Sequence, residues 1–154
     1  MTQAADGIEI RVGEPADLLR AHAEIPEFAD QELDPAEVAR RLDATAHVLI
    51  AWQGEEPVGY KVGYDRYGDG SFYSWLGGVA PAHRGGGIAR VLLDAQERHA
   101  IDAGYDRIYV KTRNRFVAML KLLLSGGYGI VRVELPADTP IADARLTLVR
   151  VLRA

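Results

Sequence analysis

Residues 75–90 read WLGGVAPAHRGGGIAR. The stretch opens as an apolar run ending Leu76-Gly77-Gly78-Val79, which fits the end of a strand. It passes Pro81 and Arg84 and reaches three consecutive glycines, Gly85 to Gly87. It closes on Ile88-Ala89-Arg90, the first turn of a helix whose apolar positions 88, 91, 92 and 95 recur at i, i+3, i+4 and i+7. A strand, a glycine loop and a helix N-terminus in that order make an anion cradle. Several backbone N–H groups point at one place, and the positive end of the helix dipole lies behind them. Glycine serves there because a side chain would hold a phosphate off the backbone, and because such loops often require φ > 0.

The elements on either side follow from periodicity. Before the stretch, Ile8 to Val12 alternates as a half-buried strand, and Pro15 opens a helix of about eight residues. Residues 24–35 carry two prolines and five acids and read as an exposed connection. Asp34, Pro35 and Glu37 start a second helix that should reach about Ala44. Strands are expected at His47–Gln53, Val58–Asp65 and Ser71–Val79. After the glycine loop come a helix from Gly87 to Ala103, stopped by Gly104, and a strand from Arg107 to Thr112. Asn114 is expected to cap a last helix, apolar almost all round from Phe116 to Leu124 and therefore mostly buried. Two strands end the chain, Tyr128–Leu135 and Arg145–Leu152. The order β-α-α-β-β-β-α-β-α-β-β predicts an α/β (α+β) fold, a mixed central sheet of about seven strands with helices on both faces. The unit from 71 to 112 should be a right-handed crossover, with the ligand beyond the carboxyl ends of its strands.

The totals bound the function. With 154 residues, 48% hydrophobic and 26% charged, residues 1–154 are expected to form one globular domain. A formal net charge of −4 supplies no basic surplus for nucleic acid. The absence of cysteine excludes disulfides, thiolate metal sites and cysteine nucleophiles. His22, His47, His83 and His99 are scattered without metal-ligand spacing, so no metal is expected. No apolar stretch is long enough to span a bilayer, and MTQAADG lacks the basic start and apolar core of a signal peptide. The expectation is a cytoplasmic protein without membrane or nucleic-acid partners.

Which anion the cradle takes is narrowed by elimination. A dinucleotide fingerprint, G-x-G-x-x-G/A, would need a small residue where Arg90 stands, or glycine where Ile88 stands. An NTPase loop would end G-K-[ST], and here the chain runs Gly87-Ile88-Ala89. The spacing R-x-x-G-x-A, met by Arg84, Gly87 and Ala89, resembles the pyrophosphate loop of the GNAT superfamily of N-acetyltransferases. The element order is similar too. The strand ending L-G-G-V before Pro81 resembles that family's fourth strand. Asn114 resembles the start of its N-x-x-A helix, with Ala one position late at 118, and Gly127-Tyr128 resembles its Gly-Phe. Val110–Asn114 and Met119-Leu120 are similar to segments recurring in small bacterial-type members.

The resemblance implies an N-acetyltransferase that moves an acetyl group from acetyl-CoA to a primary amine of a small-molecule or peptidic acceptor. The amides of Arg84, Gly85, Gly86, Gly87, Ile88, Ala89 and Arg90 would then hold the pyrophosphate, with Arg84 or Arg90 adding a direct contact. Gly78 and Val79 would pair with the pantetheine arm, two adjacent glycines suiting a bulge there. A backbone N–H near Gly77 or Gly78 would polarise the thioester carbonyl. Asn114 would touch the pantetheine or orient the acceptor, and Lys111 and Arg113 would meet the nucleotide's phosphates. Many members carry a tyrosine on the last helix to protonate the leaving thiolate; its positions here are Leu123 and Lys121. Tyr128, Tyr109 or a water would replace it, or the thiolate would leave unprotonated. The acceptor would enter between His22, Glu24, Glu27 and Phe28 on one side and Tyr73 and Trp75 on the other. An acidic loop beside aromatic rings suits a cationic amine, with Glu24 or Glu27 as base or docking group. Family members also pair through their C-terminal strands, which makes a homodimer one possible assembly. The alternative is a coenzyme A-binding regulatory module that has lost efficient chemistry, consistent with the missing tyrosine.

Overall fold

The fold follows from where the chain alternates and where glycine interrupts it. A computed structural model describes residues 2–3, 7–29 and 33–152, so residues 30–32 of the acidic connection lie outside the described residues. Eight strands form one sheet: β1 (Thr2–Gln3), β2 (Ile8–Val12), β3 (His47–Gln53), β4 (Glu56–Tyr64), β5 (Ser71–Val79), β6 (Arg107–Arg113), β7 (Gly129–Glu134) and β8 (Arg145–Val151). Their order is β1-β2-β3-β4-β5-β6-β8-β7. All seven expected strands are present, and the two-residue β1 is added at one edge by pairing with β2. The helices are α1 (Pro15–Ala23), α2 (Pro35–Arg41), α3 (Ile88–Asp102) and α4 (Val117–Ser125).

The two sheet faces are filled by different helices. Leu18 and Ala21 of α1 and Val38 of α2 pack on Ile50, Tyr60 and Val62. On the other face Ile88 and Leu92 of α3 meet Ile8, Ile10 and Leu49. Further along that face Leu93 and Ala100 of α3 and Leu123 of α4 close over Phe72, Ile108 and Leu148. Asp34 caps α2 as expected, its Oδ1 accepting from the Ala36 N–H at 3.0 Å. That helix stops at Arg41, not Ala44, because Asp43 turns its carboxylate onto the Thr45 N–H at 2.8 Å.

Three expectations are corrected. Asn114 does not cap the last helix: its side-chain amide donates to the Ile141 carbonyl at 3.0 Å, and Phe116 stands at the N-cap of α4. The loop before β8 draws it away, since the Asn114 and Arg115 N–H groups donate to the Ala144 and Ala142 carbonyls. Nor is α4 mostly buried. Only Leu123 is, while Val117 and Leu124 are 54% and 50% exposed, because the helix has a neighbour on one side only. Finally, the irregularity in β5 lies at Trp75, not at the glycine pair. Val62 pairs with Leu76 and Gly63 with Ser74, which leaves Trp75 as the extra residue.

The pairing of β5 with β6 positions the site. Both strands are parallel, and they are in register only from Ser71↔Arg107 to Ser74↔Val110. Beyond Ser74 they part, and the second half of β5 keeps only its β4 neighbour. The bulge at Trp75 falls where the separation begins, as extra twist at a bulge would produce.

Candidate active site

A cleft of ≈ 1030 Å³ occupies this open seam. The glycine loop forms one end. Gly85 and Gly87 have φ of 83° and 86°, the left-handed region, and an added Cβ at either would meet nothing within 4 Å. Glycine is therefore demanded by backbone conformation, with open space in front. Gly87 is also the N-cap of α3, and Val91 is the first residue of that helix to donate back, to the Gly87 carbonyl at 3.1 Å. Among the described residues, the N–H groups of residues 85–90 make no backbone hydrogen bond of ordinary geometry. Adjacent free donors at a helix N-terminus suit a polyanion such as a pyrophosphate.

The middle of the cleft is the free edge of β5. The Ala80 N–H donates to the Val58 carbonyl at 2.8 Å, and Gly78 pairs with Tyr60. Alternation along an antiparallel ladder turns the N–H groups of Leu76 and Gly78 to β4 and those of Gly77 and Val79 to the seam. Of the two glycines, Gly77 therefore has the N–H that faces the cleft. Above Gly78 sit Ile25 and Phe28, each with an atom 3.3 Å from where a Cβ would stand, so alanine would crowd both. Phe28 reaches across the seam to Phe116, edge to face at 6.0 Å.

The two arginines of the loop are already engaged. Arg84 donates its Nε to the Val79 carbonyl at 3.0 Å and pairs with Glu27 at 2.6 Å. Arg90 donates to Ser125 Oγ at 2.9 Å and to the Leu122 carbonyl, tying α3 to α4. Both guanidiniums brace the walls of the cradle. Glu27 lines the cleft, but the hydrogen bond from Arg84 holds its carboxyl below the ordinary range, which weakens it as a base.

The remaining expected residues divide. Phe28, Tyr73 and Trp75 line the cleft, whereas His22, Glu24, Tyr128 and Asn114 do not. His22 is buried behind Phe28, its ring stacked on it at 5.0 Å and its Nδ1 2.7 Å from the Tyr60 hydroxyl. Glu24 is the exposed C-cap of α1. Tyr128 is buried and donates its hydroxyl to Glu97 Oε2 at 2.9 Å, a carboxylate also held by Arg150 at 2.6 Å. Burial and that carboxylate push the phenol pKa up, away from proton donation near neutrality. Tyr109 lines an adjoining depression of ≈ 340 Å³ that shares Lys111, Glu134 and Thr147 with the cleft. Leu123, at one of the usual tyrosine positions, is fully buried in the core.

The structure adds Lys61, Arg41 and Arg66, which the sequence did not single out, and gives Lys111 a different place from the one expected. Lys61 of β4 lines the cleft with its Nζ beside Gly77, 3.3 Å from where a Cβ would be. Burial pushes its pKa down to about 8, partly offset by Glu97. At the far end, Arg41 lies over the Trp75 ring at 4.8 Å, Arg66 over Tyr73 at 5.0 Å and Lys111 over Tyr73 at 6.0 Å. Lys111 thus stands at the Tyr73 end rather than beside the glycine loop. The signal for Arg41 and Arg66 was only their type, since they come from α2 and the β4–β5 connection.

Comparisons with known proteins agree with this geometry. Residues 16–125 match the family model described as the acetyltransferase (GNAT) family. No curated protein matches the chain significantly by sequence. Among solved structures, the ribosomal-protein-S18-alanine N-acetyltransferase of Escherichia coli is similar with a TM-score of 0.79 at 12% identity, covering 96% of this chain and 95% of that one. The yncA protein of Salmonella typhimurium, solved with its cofactor acetyl-CoA, reaches 0.76 at 20% identity with the same coverages, 96% and 95%. A spermidine N-acetyltransferase SpeG chimera from Vibrio cholerae and hSSAT reaches 0.72 at 16%, covering 96% of each chain. At these identities the likeness speaks for the fold. Among the described residues no helix is long and apolar enough to cross a membrane, and no group of three or more potential metal ligands occurs.

Proposed function

This chain belongs to the GNAT family of acetyltransferases, and from that premise we propose that it transfers the acetyl group of acetyl-CoA to the primary amine of an acceptor. The reading treats residues 1–154 as a single acetyltransferase domain. The observation that carries it is the run of N–H groups at residues 85–90 that make no ordinary backbone hydrogen bond among the described residues, continuous with the open edge of β5. In this reading, acetyl-CoA supplies an acetyl group activated as a thioester. The N–H groups of residues 85–90 hold the pyrophosphate, with the α3 dipole behind them. The outward-facing Val79 N–H and Gly77 carbonyl take the pantetheine arm as an added strand would, the Val79 carbonyl being engaged by Arg84. The Gly77 N–H polarises the thioester carbonyl and stabilises the charge that develops on its oxygen. Ile25 and Phe28 cover the segment and exclude water. The acceptor reaches the same carbon from the Tyr73–Trp75 end. The acceptor ammonium loses its first proton to solvent, because Glu27, a carboxylate lining the cleft, is engaged by Arg84. The second, released as the amide forms, goes to the leaving thiolate.

Calorimetry with acetyl-CoA, paired with thiol release over a panel of amines, tests the reading. Binding accompanied by amine-dependent thiol release is expected. Gly87→Val should weaken acetyl-CoA binding by about tenfold or more, since it forces a branched side chain into left-handed backbone and into the cradle. Absence of binding would overturn the proposal. Binding without turnover of any amine would favour the second reading, a coenzyme A-binding module. The observation behind that alternative is Leu123, apolar and fully buried where a proton-donating tyrosine usually stands.

A further inference from the structure

The sequence suggested an acidic, aromatic pocket for a cationic amine, and the charges around the cleft are the reverse. Nine lysines and arginines line it against two glutamates, in a chain whose formal net charge is −4. Both glutamates are paired, Glu27 with Arg84 at 2.6 Å and Glu134 with Arg132 at 2.7 Å. The aromatic faces that would attract a cation are occupied by the protein's own. Arg66 covers Tyr73 and Tyr67 at 5.0 Å and 5.5 Å, Lys111 covers Tyr73 at 6.0 Å, and Arg41 covers Trp75 at 4.8 Å. Arg41 is held in place by Glu37 at 3.0 Å and by the Tyr64 hydroxyl. Among the described residues, neither Arg66 nor Lys111 has a carboxylate within ion-pair distance. Two uncommitted cations therefore flank one buried tyrosine ring.

These cations are not placed for the cofactor's pyrophosphate. Tyr73 lies six residues before Val79 on one strand, roughly 20 Å away at a strand's rise per residue. They stand at the end of the cleft opposite the glycine loop, where the acceptor would enter.

We infer that the acceptor carries a carboxylate beside its amine, and that Arg66 and Lys111 receive this carboxylate at the Tyr73–Trp75 end of the cleft. The inference rests on the acetyl-transfer reading above. A guanidinium gives a carboxylate two parallel N–H donors, and an ammonium adds a point charge. The aromatic walls, Phe28, Phe116, Tyr73 and Trp75, suit an acceptor with an apolar or aromatic side chain, so an aromatic amino acid is a natural probe. The same field eases the chemistry. An ammonium brought close to two cations loses its proton more readily, which lightens the need for a dedicated base. The balance is simple. The acceptor ammonium gives one proton to solvent, and its nitrogen forms a bond to the acetyl carbon as the carbon–sulfur bond breaks. The second nitrogen proton is lost as the amide forms, and one proton ends on the coenzyme A thiol.

The test compares acceptors that differ by one group. Phenylalanine is set against phenethylamine, O-phosphoethanolamine against ethanolamine, and spermidine is included, with acetyl-CoA binding measured separately by calorimetry. Phenylalanine is expected to exceed phenethylamine by about tenfold or more in kcat/KM. In Arg66→Gln and Lys111→Gln, both surface changes, that ratio should fall toward one while acetyl-CoA affinity stays as in the parent chain. A preference for phenethylamine or spermidine overturns the inference, as does a ratio that survives both substitutions. A phosphoethanolamine preference without a phenylalanine preference overturns the carboxylate in favour of a phosphate. Should acetyl-CoA fail to bind, or no amine turn over, calorimetry with N-acetylphenylalanine and N-acetylphenethylamine still decides. Tighter binding of the carboxylate form, lost in the two variants, supports the anion site, and equal binding refutes it.

Discussion

Lys61 is the side chain whose placement costs the fold most visibly. Its ordinary pKa is 10.5, and burial brings it down to about 8. The unfolded chain therefore binds this proton more tightly than the folded one. Stability is lost as pH falls from about 10.5 to about 8 and stays lost below that. Lys61→Met should raise stability at pH 7 by roughly 3 kcal/mol, and the gain should vanish near pH 11. Urea unfolding at the two pH values checks it; equal midpoints for variant and parent at pH 7 would refute it. Tyr128 gives the opposite case. Its hydroxyl is committed to Glu97 beneath the sheet, so Tyr128→Phe should cost about 1 kcal/mol and leave acetyl-CoA affinity unchanged. A loss of affinity in calorimetry would return Tyr128 to the cleft.

Between β3 and α3, His47 and His99 stack with ring centroids 3.7 Å apart and planes 2° from parallel. Burial pushes His47 down to about 4, helped by the neighbouring ring, and His99 also lies below its usual 6.5. Protons are taken up by the unfolded chain first, so this contact should lose strength as pH falls from about 6.5 to about 4. Because the rings are only partly buried, the expected loss is about 1–2 kcal/mol. His47→Phe should remove the larger part of that slope, read as the difference between parent and variant melts at pH 7 and pH 5. A difference that does not change between the two would refute it. Elements of this kind were largely legible beforehand. Alternation marked β2 and β4, an apolar run marked β3, and Gly87 and Gly104 bounded α3 to within a residue. The end of α2 was not, because Asp43 competes for the backbone locally. Asn114 was misread as a cap because its true acceptor, the Ile141 carbonyl, comes from a loop far along the chain. The bulge at Trp75 left no mark either: it compensates a β4 register that only pairing reveals.

The molecule as a whole is two packed regions that share a cleft. One carries α1 and α2 over β3 and β4, the other α4 over β6 and β8, and α3 contributes to both cores on its face of the sheet. Phe28 with Phe116 and Arg90 with Ser125 bridge the walls of the cleft. A ligand filling the seam should stabilise the fold as a unit. Acetyl-CoA at a hundredfold excess over its Kd should add about 2.7 kcal/mol and raise Tm by about 5–10 °C. An unchanged Tm at saturation would contradict binding in the seam. The cradle was legible because it is contiguous in sequence, whereas the charge of the acceptor end was not. Arg41, Arg66 and Lys111 belong to separate segments, and only the fold assembles them.

The parting of β5 from β6 carries a consequence for exchange of amide hydrogens with solvent deuterium. Along a fully paired strand all amides are slow, but here the ladder is single-sided from Trp75 to Val79. Leu76 and Gly78 should exchange slowly and Gly77 and Val79 quickly, an alternating pattern within one strand. With acetyl-CoA in place the alternation should even out, and residues 85–90 should slow together with it. The strand edge would then report, residue by residue, where the cofactor's arm lies.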